Sequence, residues 1–202
     1  MRPQTAARPT TYGLDPSNPT FTLDRYQRMI DAGILDDEDR VELLENFVVL
    51  EVPRNPQHDN GIDRVHEALL PRKPRGWRLR IRSAITLSDS QPEPDLALVR
   101  GDLNSFELTH PGPADCGLLV EVANTSLLRD KQDKARIYAR AGIPTYWIVN
   151  LVDSRVEVFE QPSGPAPAPA YSVTRTYEPG WDVPLSVDGT TVGPIPAADL
   201  LG

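Results

Sequence analysis

The run Gly117-Leu118-Leu119-Val120-Glu121-Val122-Ala123 decides how the rest of the chain is read. Everything in it except Glu121 is apolar or glycine. A continuous apolar run of this length marks a strand covered on both faces, inside a sheet flanked by helices. A carboxylate in the middle of such a strand is costly unless it is paired, protonated or bound to a cation. Side chains alternate along a strand, so Glu121 shares a face with Leu119 and Ala123.

Just upstream, Pro94-Asp95-Leu96-Ala97-Leu98-Val99 opens a second apolar strand with an acid at its entrance. Two carboxylates on neighbouring strands can share one hard divalent cation such as Mg²⁺, which takes oxygen ligands and keeps several waters. The plainer alternative is that Glu121 pairs with a lysine or arginine and Asp95 merely starts a strand. Downstream, Leu127 to Ala141 reads as a helix stopped by Gly142. It carries Asp130, Lys134 and Tyr138 along one stripe. Lys134 is thereby placed to reach back toward Glu121, where an ammonium can orient a water or offset transition-state charge. A surface Asp130–Lys134 ion pair is the ordinary alternative, and Lys131 competes for the same role.

Further out, Thr22 caps a helix running to Gly33, and Val41 to Leu44 and Phe47 to Val52 form a hairpin around Glu45-Asn46. His58 to Leu70 is a second helix, and Trp77 to Leu87 a long strand. Tyr146 to Leu151, Arg155 to Glu160 and Tyr171 to Tyr177 complete the strands. Residues 1–20, polar and rich in proline, read as a flexible arm. Residues 21–178 form the main domain, and residues 179–202 a turn-rich extension packed on it. Alternating helices and strands imply a mixed sheet flanked by helices.

The 202 residues carry 21 Lys and Arg against 29 Asp and Glu, a net charge of −8. That balance argues against a charge-driven nucleic-acid coat, though not against a local basic patch. The single Cys116 leaves no internal disulfide and no cysteine-built zinc site. No apolar stretch reaches the roughly 18 to 20 residues that cross a bilayer, and Met1 to Thr20 has no apolar segment of a secretory signal. A cytoplasmic protein is the simplest expectation.

Pro94-Asp95, then Glu121 in an apolar strand, then a lysine, resembles the PD-(D/E)XK nuclease superfamily. The ordered series is more specific: Glu42-Leu43 before a hairpin, His58 after a proline-rich loop, Pro94-Asp95, Leu119-Val120-Glu121-Val122, Asp130 with Lys134 and Tyr138, and Gly142-Ile143-Pro144-Thr145-Tyr146-Trp147-Ile148-Val149. It resembles the Uma-type branch of bacterial restriction-endonuclease-like proteins from about Phe21 to Tyr177. The resemblance implies an α/β restriction-endonuclease-like fold, a mixed β-sheet flanked by helices. It also implies Mg²⁺, with Mn²⁺ as a substitute, held by Asp95, Glu121 and the main-chain carbonyl of Val122. Lys134 then stands for the family lysine, because Ala123 occupies the usual lysine place. Glu42 and His58 support the site or a second ion. The expected activity is hydrolysis of DNA phosphodiester bonds, with a homodimer as a possible partner state. The alternative is a catalytically silent copy of the fold used for self-association or partner binding. Three departures stand out: Glu45-Asn46 in place of Asp-Gly, Asn124 in place of serine, and Asn150 in place of aspartate.

Arg78, Arg80 and Arg82 alternate on the expected strand after the basic Arg72 to Arg75 turn. Such a row either tracks a phosphate backbone or is a solvated face that keeps an edge strand soluble. His66 and His110 read as structural or exposed.

Overall fold

The computed structural model describes residues 19–202 except 37, 52 and 54. The arm expected over residues 1–20 therefore lies almost wholly outside the described residues. Along the chain come α1 (Leu23–Asp31), the β1–β2 hairpin (Val41–Leu44, Phe47–Leu50), α2 (Pro56–Leu69), β3 (Trp77–Ile81), β4 (Leu96–Arg100) and β5 (Cys116–Ala123). Then follow a helix in two parts, α3 (Leu127–Arg129) and α4 (Ala135–Ala141), and the strands β6 (Thr145–Asn150), β7 (Arg155–Pro162) and β8 (Tyr171–Tyr177). A hairpin, β9–β10 (Asp182–Val187, Thr190–Pro196), and α5 (Ala197–Leu201) end it.

Six strands form one sheet in the order β3-β4-β5-β6-β7-β8. The β5–β6 pair is parallel and its neighbours are antiparallel. A parallel pair needs a crossover, and α3–α4 supplies it. All of β5 is buried, as its apolar run requires. On one face Leu118, Val120 and Val122 pack against Ile62, Val65 and Leu69 of α2, and against Val183, Leu185 and Ile195 of the C-terminal hairpin. On the other, Leu119 and Ala123 meet Ile137 and Tyr138 of α4, with Tyr146 and Ile148. Tyr146 and Trp147 are both core residues.

The sheet and α2 meet closely at Gly61. A β-carbon there would stand 2.7 Å from Val122 Cγ1. Gly61→Ala is therefore expected to cost about 1–3 kcal/mol by overpacking, and to tilt the helix that carries His58. Thermal melting checks this. An unchanged melting temperature would mean that the Val122 methyl simply moves aside.

The structure departs from the sequence-based elements in four places. The strand expected over Trp77 to Leu87 stops at Ile81. Arg82 takes a left-handed backbone (φ 46°), and the chain folds back through bonds from Ile85 N–H to Pro92 O and Leu87 N–H to Ser90 O. Ile85 and Leu87 are buried without being in a strand, so their alternation reported burial rather than extension. The helix from Leu127 to Ala141 is interrupted by a π-turn over Asp130–Lys134. The extension read as turn-rich contains the β9–β10 ladder, in which Pro184 faces Pro194. A two-stranded ladder leaves each strand one free edge, where proline is tolerated. Finally, α2 starts at Pro56, two residues before His58, because Asn55 caps it by accepting the His58 N–H at 3.0 Å.

The Glu45-Asn46 turn has φ of 48° and 66°, the geometry of a type I′ hairpin turn. Glutamate is a poor residue for it, but its carboxylate is held by Arg136 and Arg140 from α4. Asn150 is fully buried and accepts the N–H groups of Val152 and Asp153, fixing the turn between β6 and β7. Cys116 is buried, its thiol donates to Gly112 O at 3.3 Å, and burial, reinforced by Asp115, pushes its pKa up to about 12. With so little thiolate present, it should not react with a disulfide reagent in the folded protein, and should react stoichiometrically once unfolded. Rapid labelling of the native state would contradict this environment.

Candidate active site

The β4–β5 ladder places Leu96 opposite Val120 and Ala97 opposite Leu119. Continuing it by one residue sets Asp95 opposite Glu121, on the same face of the sheet. Asp95 Oδ2 accepts the Val122 N–H at 2.8 Å, and His58 Nε2 lies 3.2 Å from the same oxygen. In an extended strand the N–H and C=O of one residue project to the same edge. The Val122 carbonyl therefore also faces the Asp95 side, beyond the end of the ladder.

Glu121 points to the α4 side of the sheet. Its Oε1 accepts from Lys134 Nζ at 2.9 Å and from Tyr138 OH at 3.0 Å. Lys134 Nζ is also 3.4 Å from Glu42 Oε2, on β1. The buried lysine is thus held between carboxylates from two separate strands. The π-turn accompanies this placement: Asp130, Asp133 and Lys134 are all buried, and such turns recur at functional sites. Tyr146 donates from its hydroxyl to the Asp130 carbonyl, within the turn, at 3.2 Å.

Two alternatives weighed for this helix do not match the structure. The Asp130–Lys134 pair is not a surface ion pair: Asp130 Oδ2 accepts from Ser126 Oγ at 2.6 Å, and the lysine goes to Glu121 and Glu42. Lys131 turns away to Glu157, at 2.7 Å.

Glu42, His58, Asp95, Glu121, Asp130 and Lys134 all border one cavity of about 50 Å³. Burial drives the Glu121 pKa well above the usual carboxylate range, against the Lys134 ammonium and with help from Asp130, Asp95 and Glu42. Burial likewise raises Asp130, to about 6. Burial opposes the charged form of Lys134, but Glu121, Glu42 and Asp130 outweigh it and hold its pKa well above the ordinary lysine value. The cavity is therefore acidic, with a lysine that stays protonated.

The donor set fits a hard cation. Among the described residues, the hydrogen bonds to Asp95 end on Oδ2 and those to Glu121 on Oε1, so the second oxygen of each is the one a cation would meet. Among the described residues, no three His, Cys, Asp or Glu side chains converge to hold an ion by themselves. An ion here would rely on the two carboxylates, a main-chain oxygen and water, as Mg²⁺ commonly does.

Arg78, Arg80 and Arg82 separate. Arg78 donates to Leu103 O at 2.9 Å, and Arg80 lies over the Phe106 ring. Arg82 is beyond the end of β3, 3.6 Å from Asp59. His66 and His110 do not border the cavity. Glu51, Glu93 and Arg129 do, and the sequence reading passed over them. Glu93, two residues before Asp95 between two prolines, was the most legible of these.

The fold and the site define a restriction-endonuclease-like protein. A family profile described as Uma2, putative restriction endonuclease, matches residues 23–190, and the chain belongs to this family. A crystal structure of a putative nuclease belonging to DUF820 from Anabaena variabilis ATCC 29413 is similar with a TM-score of 0.65 at 15% identity, covering 90% of this chain and 97% of that one. That likeness speaks for the fold. No curated protein matches. Among the described residues, no helix is long and apolar enough to cross a membrane.

Proposed function

We propose that the protein is a metal-dependent endonuclease that hydrolyses DNA phosphodiester bonds by water attack. The observation that carries this reading is the meeting of Asp95, Glu121 and Lys134 at one cavity, with the ammonium 2.9 Å from Glu121. Asp95, Glu121 and the Val122 carbonyl would hold Mg²⁺, with Mn²⁺ as its substitute. When bound, such an ion polarises the scissile phosphate and acidifies a water.

The chain's own residues do the rest. The Val122 N–H and His58 fix the Asp95 carboxylate, and Tyr138 and Lys134 fix Glu121. The carboxylates of Glu121, Glu42 and Asp130 favour the charged ammonium of Lys134, which suits it to electrostatic work rather than to that of a base. It orients the attacking water or offsets charge developing on the phosphate oxygens. Glu42 holds the ammonium from the opposite side.

Plasmid and linear DNA incubated with Mg²⁺, with Mn²⁺ and with EDTA test the reading. The expected result is cleavage with either ion and none with EDTA. Two active sites in a homodimer would convert supercoiled plasmid to the linear form, whereas accumulation of nicked circles alone would count against the dimer. A silent scaffold would leave the DNA intact in every lane, and that outcome would sink the proposal.

A further inference from the structure

A cleft of about 340 Å³ lies beside the catalytic cavity, bordered by α1, the β1–β2 hairpin and the turn after β3. The two share Glu51 and Glu93 as walls. Arg40 and Arg82 reach this cleft from different parts of the chain. Both hold a left-handed backbone, with φ of 48° and 46°. A residue with a β-carbon adopts that conformation at a cost, and such outliers cluster where a side chain has to be aimed.

Their present partners hold them weakly. Arg40 Nη2 is 3.5 Å from Glu51, and Arg82 Nη2 is 3.6 Å from Asp59, both at partly exposed sites. Pairs of that kind are nearly neutral. A phosphate, which takes the guanidinium fork in a bidentate way, competes well against them. The rest of the wall combines Ile30, Leu35 and Tyr26, whose hydroxyl is engaged on Val41 O, with the carboxylates of Glu51 and Glu93 on the side shared with the cavity. Ile30 stays exposed on a helix whose one buried residue is Tyr26. Asp36 also borders the cleft, but its carboxylate accepts the Glu38 N–H of its own turn at 2.8 Å. Two aimed guanidinium groups across from Tyr26, Ile30 and Leu35, with the acids Glu51 and Glu93 toward the cavity, suit a nucleotide whose phosphate meets the arginines and whose sugar meets the apolar side chains.

We infer that Arg40 and Arg82 clamp the DNA phosphate that neighbours the scissile one, and that this cleft is the substrate track. The inference rests on the nuclease reading above. It assigns backbone binding to Arg40 and Arg82, leaving Arg78 and Arg80 with the loop they already contact.

The test uses the full chain carrying Glu121→Gln, which suppresses cleavage, and fluorescence anisotropy of a short duplex over a salt series. Arg40→Gln with Arg82→Gln should make the salt slope of binding shallower by about 0.9 for each lost contact, equally on unrelated sequences. Arg40→Lys with Arg82→Lys should restore the slope, which separates charge from misfolding. Arg78→Gln with Arg80→Gln should leave it unchanged. A protein that cleaves DNA, but whose slope ignores the Arg40 and Arg82 changes, overturns the clamp alone. A protein that neither binds nor cleaves duplex DNA overturns the clamp and the nuclease reading together.

Discussion

Lys134→Met is expected to lower the DNA cleavage rate at least ~100-fold, the scale of losing one preorganised charge-stabilising group, while Lys131→Met stays close to the parent. The two lysines are three residues apart and equal in chemistry, but the fold separates their surroundings. Lys134 is buried, with its ammonium on Glu121 and Glu42, whereas Lys131 is on Glu157 of β7, away from the cavity. Lys134 also compensates buried acids, and breaking such a pair costs ~3–5 kcal/mol. The melting temperature of Lys134→Met will therefore fall as well. Turnover has to be compared at a temperature where both proteins are folded, by single-turnover cleavage of a labelled duplex. Loss of activity in the opposite order would transfer the role to Lys131. Full activity in both would remove lysine from the mechanism.

The same helix shows where the sequence is legible and where it is not. The four-residue spacing of Asp130, Lys134 and Tyr138 correctly puts Lys134 and Tyr138 over Glu121. It carries no sign of the π-turn, because a single wider turn changes backbone bonding without needing a distinctive residue. The spacing also suggested an Asp130–Lys134 contact, whereas the Asp130 carboxylate accepts from Ser126, one turn earlier in the helix. The apolar run of β5 was readable because burial on both faces leaves only one solution for such a sequence. The segment after Ile81 was not, because Ile85 and Leu87 are buried in a folded-back loop that has the same alternation as a strand. The positive φ at Arg82, which ends β3 and turns the side chain toward the cleft, is a tertiary effect that no local propensity announces. Glu45 is similar: in its unfavourable turn conformation its carboxylate is held by arginines from a helix some ninety residues later, a contact that no local turn rule announces.

Asp95→Asn should abolish Mg²⁺-dependent cleavage and, separately, remove the thermal shift that Mg²⁺ produces. The substitution keeps the shape of the side chain. The amide oxygen can still accept the Val122 N–H, so the metal-free fold should persist. What is lost is the charge, and with it a carboxylate oxygen that, in the proposed site, would bind the cation. In the parent protein, an ion present at about 100 times its dissociation constant adds about 2.7 kcal/mol. In a domain of this size each kcal/mol raises the melting temperature by about 2–4 °C. Thermal melts in EDTA and in Mg²⁺ should therefore differ by several degrees for the parent and coincide for Asp95→Asn. Lys134→Met supplies the contrast, since in the proposed site its side chain would neighbour the ion without being a ligand: its melt should start lower yet still rise with Mg²⁺. A full Mg²⁺ shift in Asp95→Asn would take Asp95 out of the metal site, whatever the cleavage assay showed.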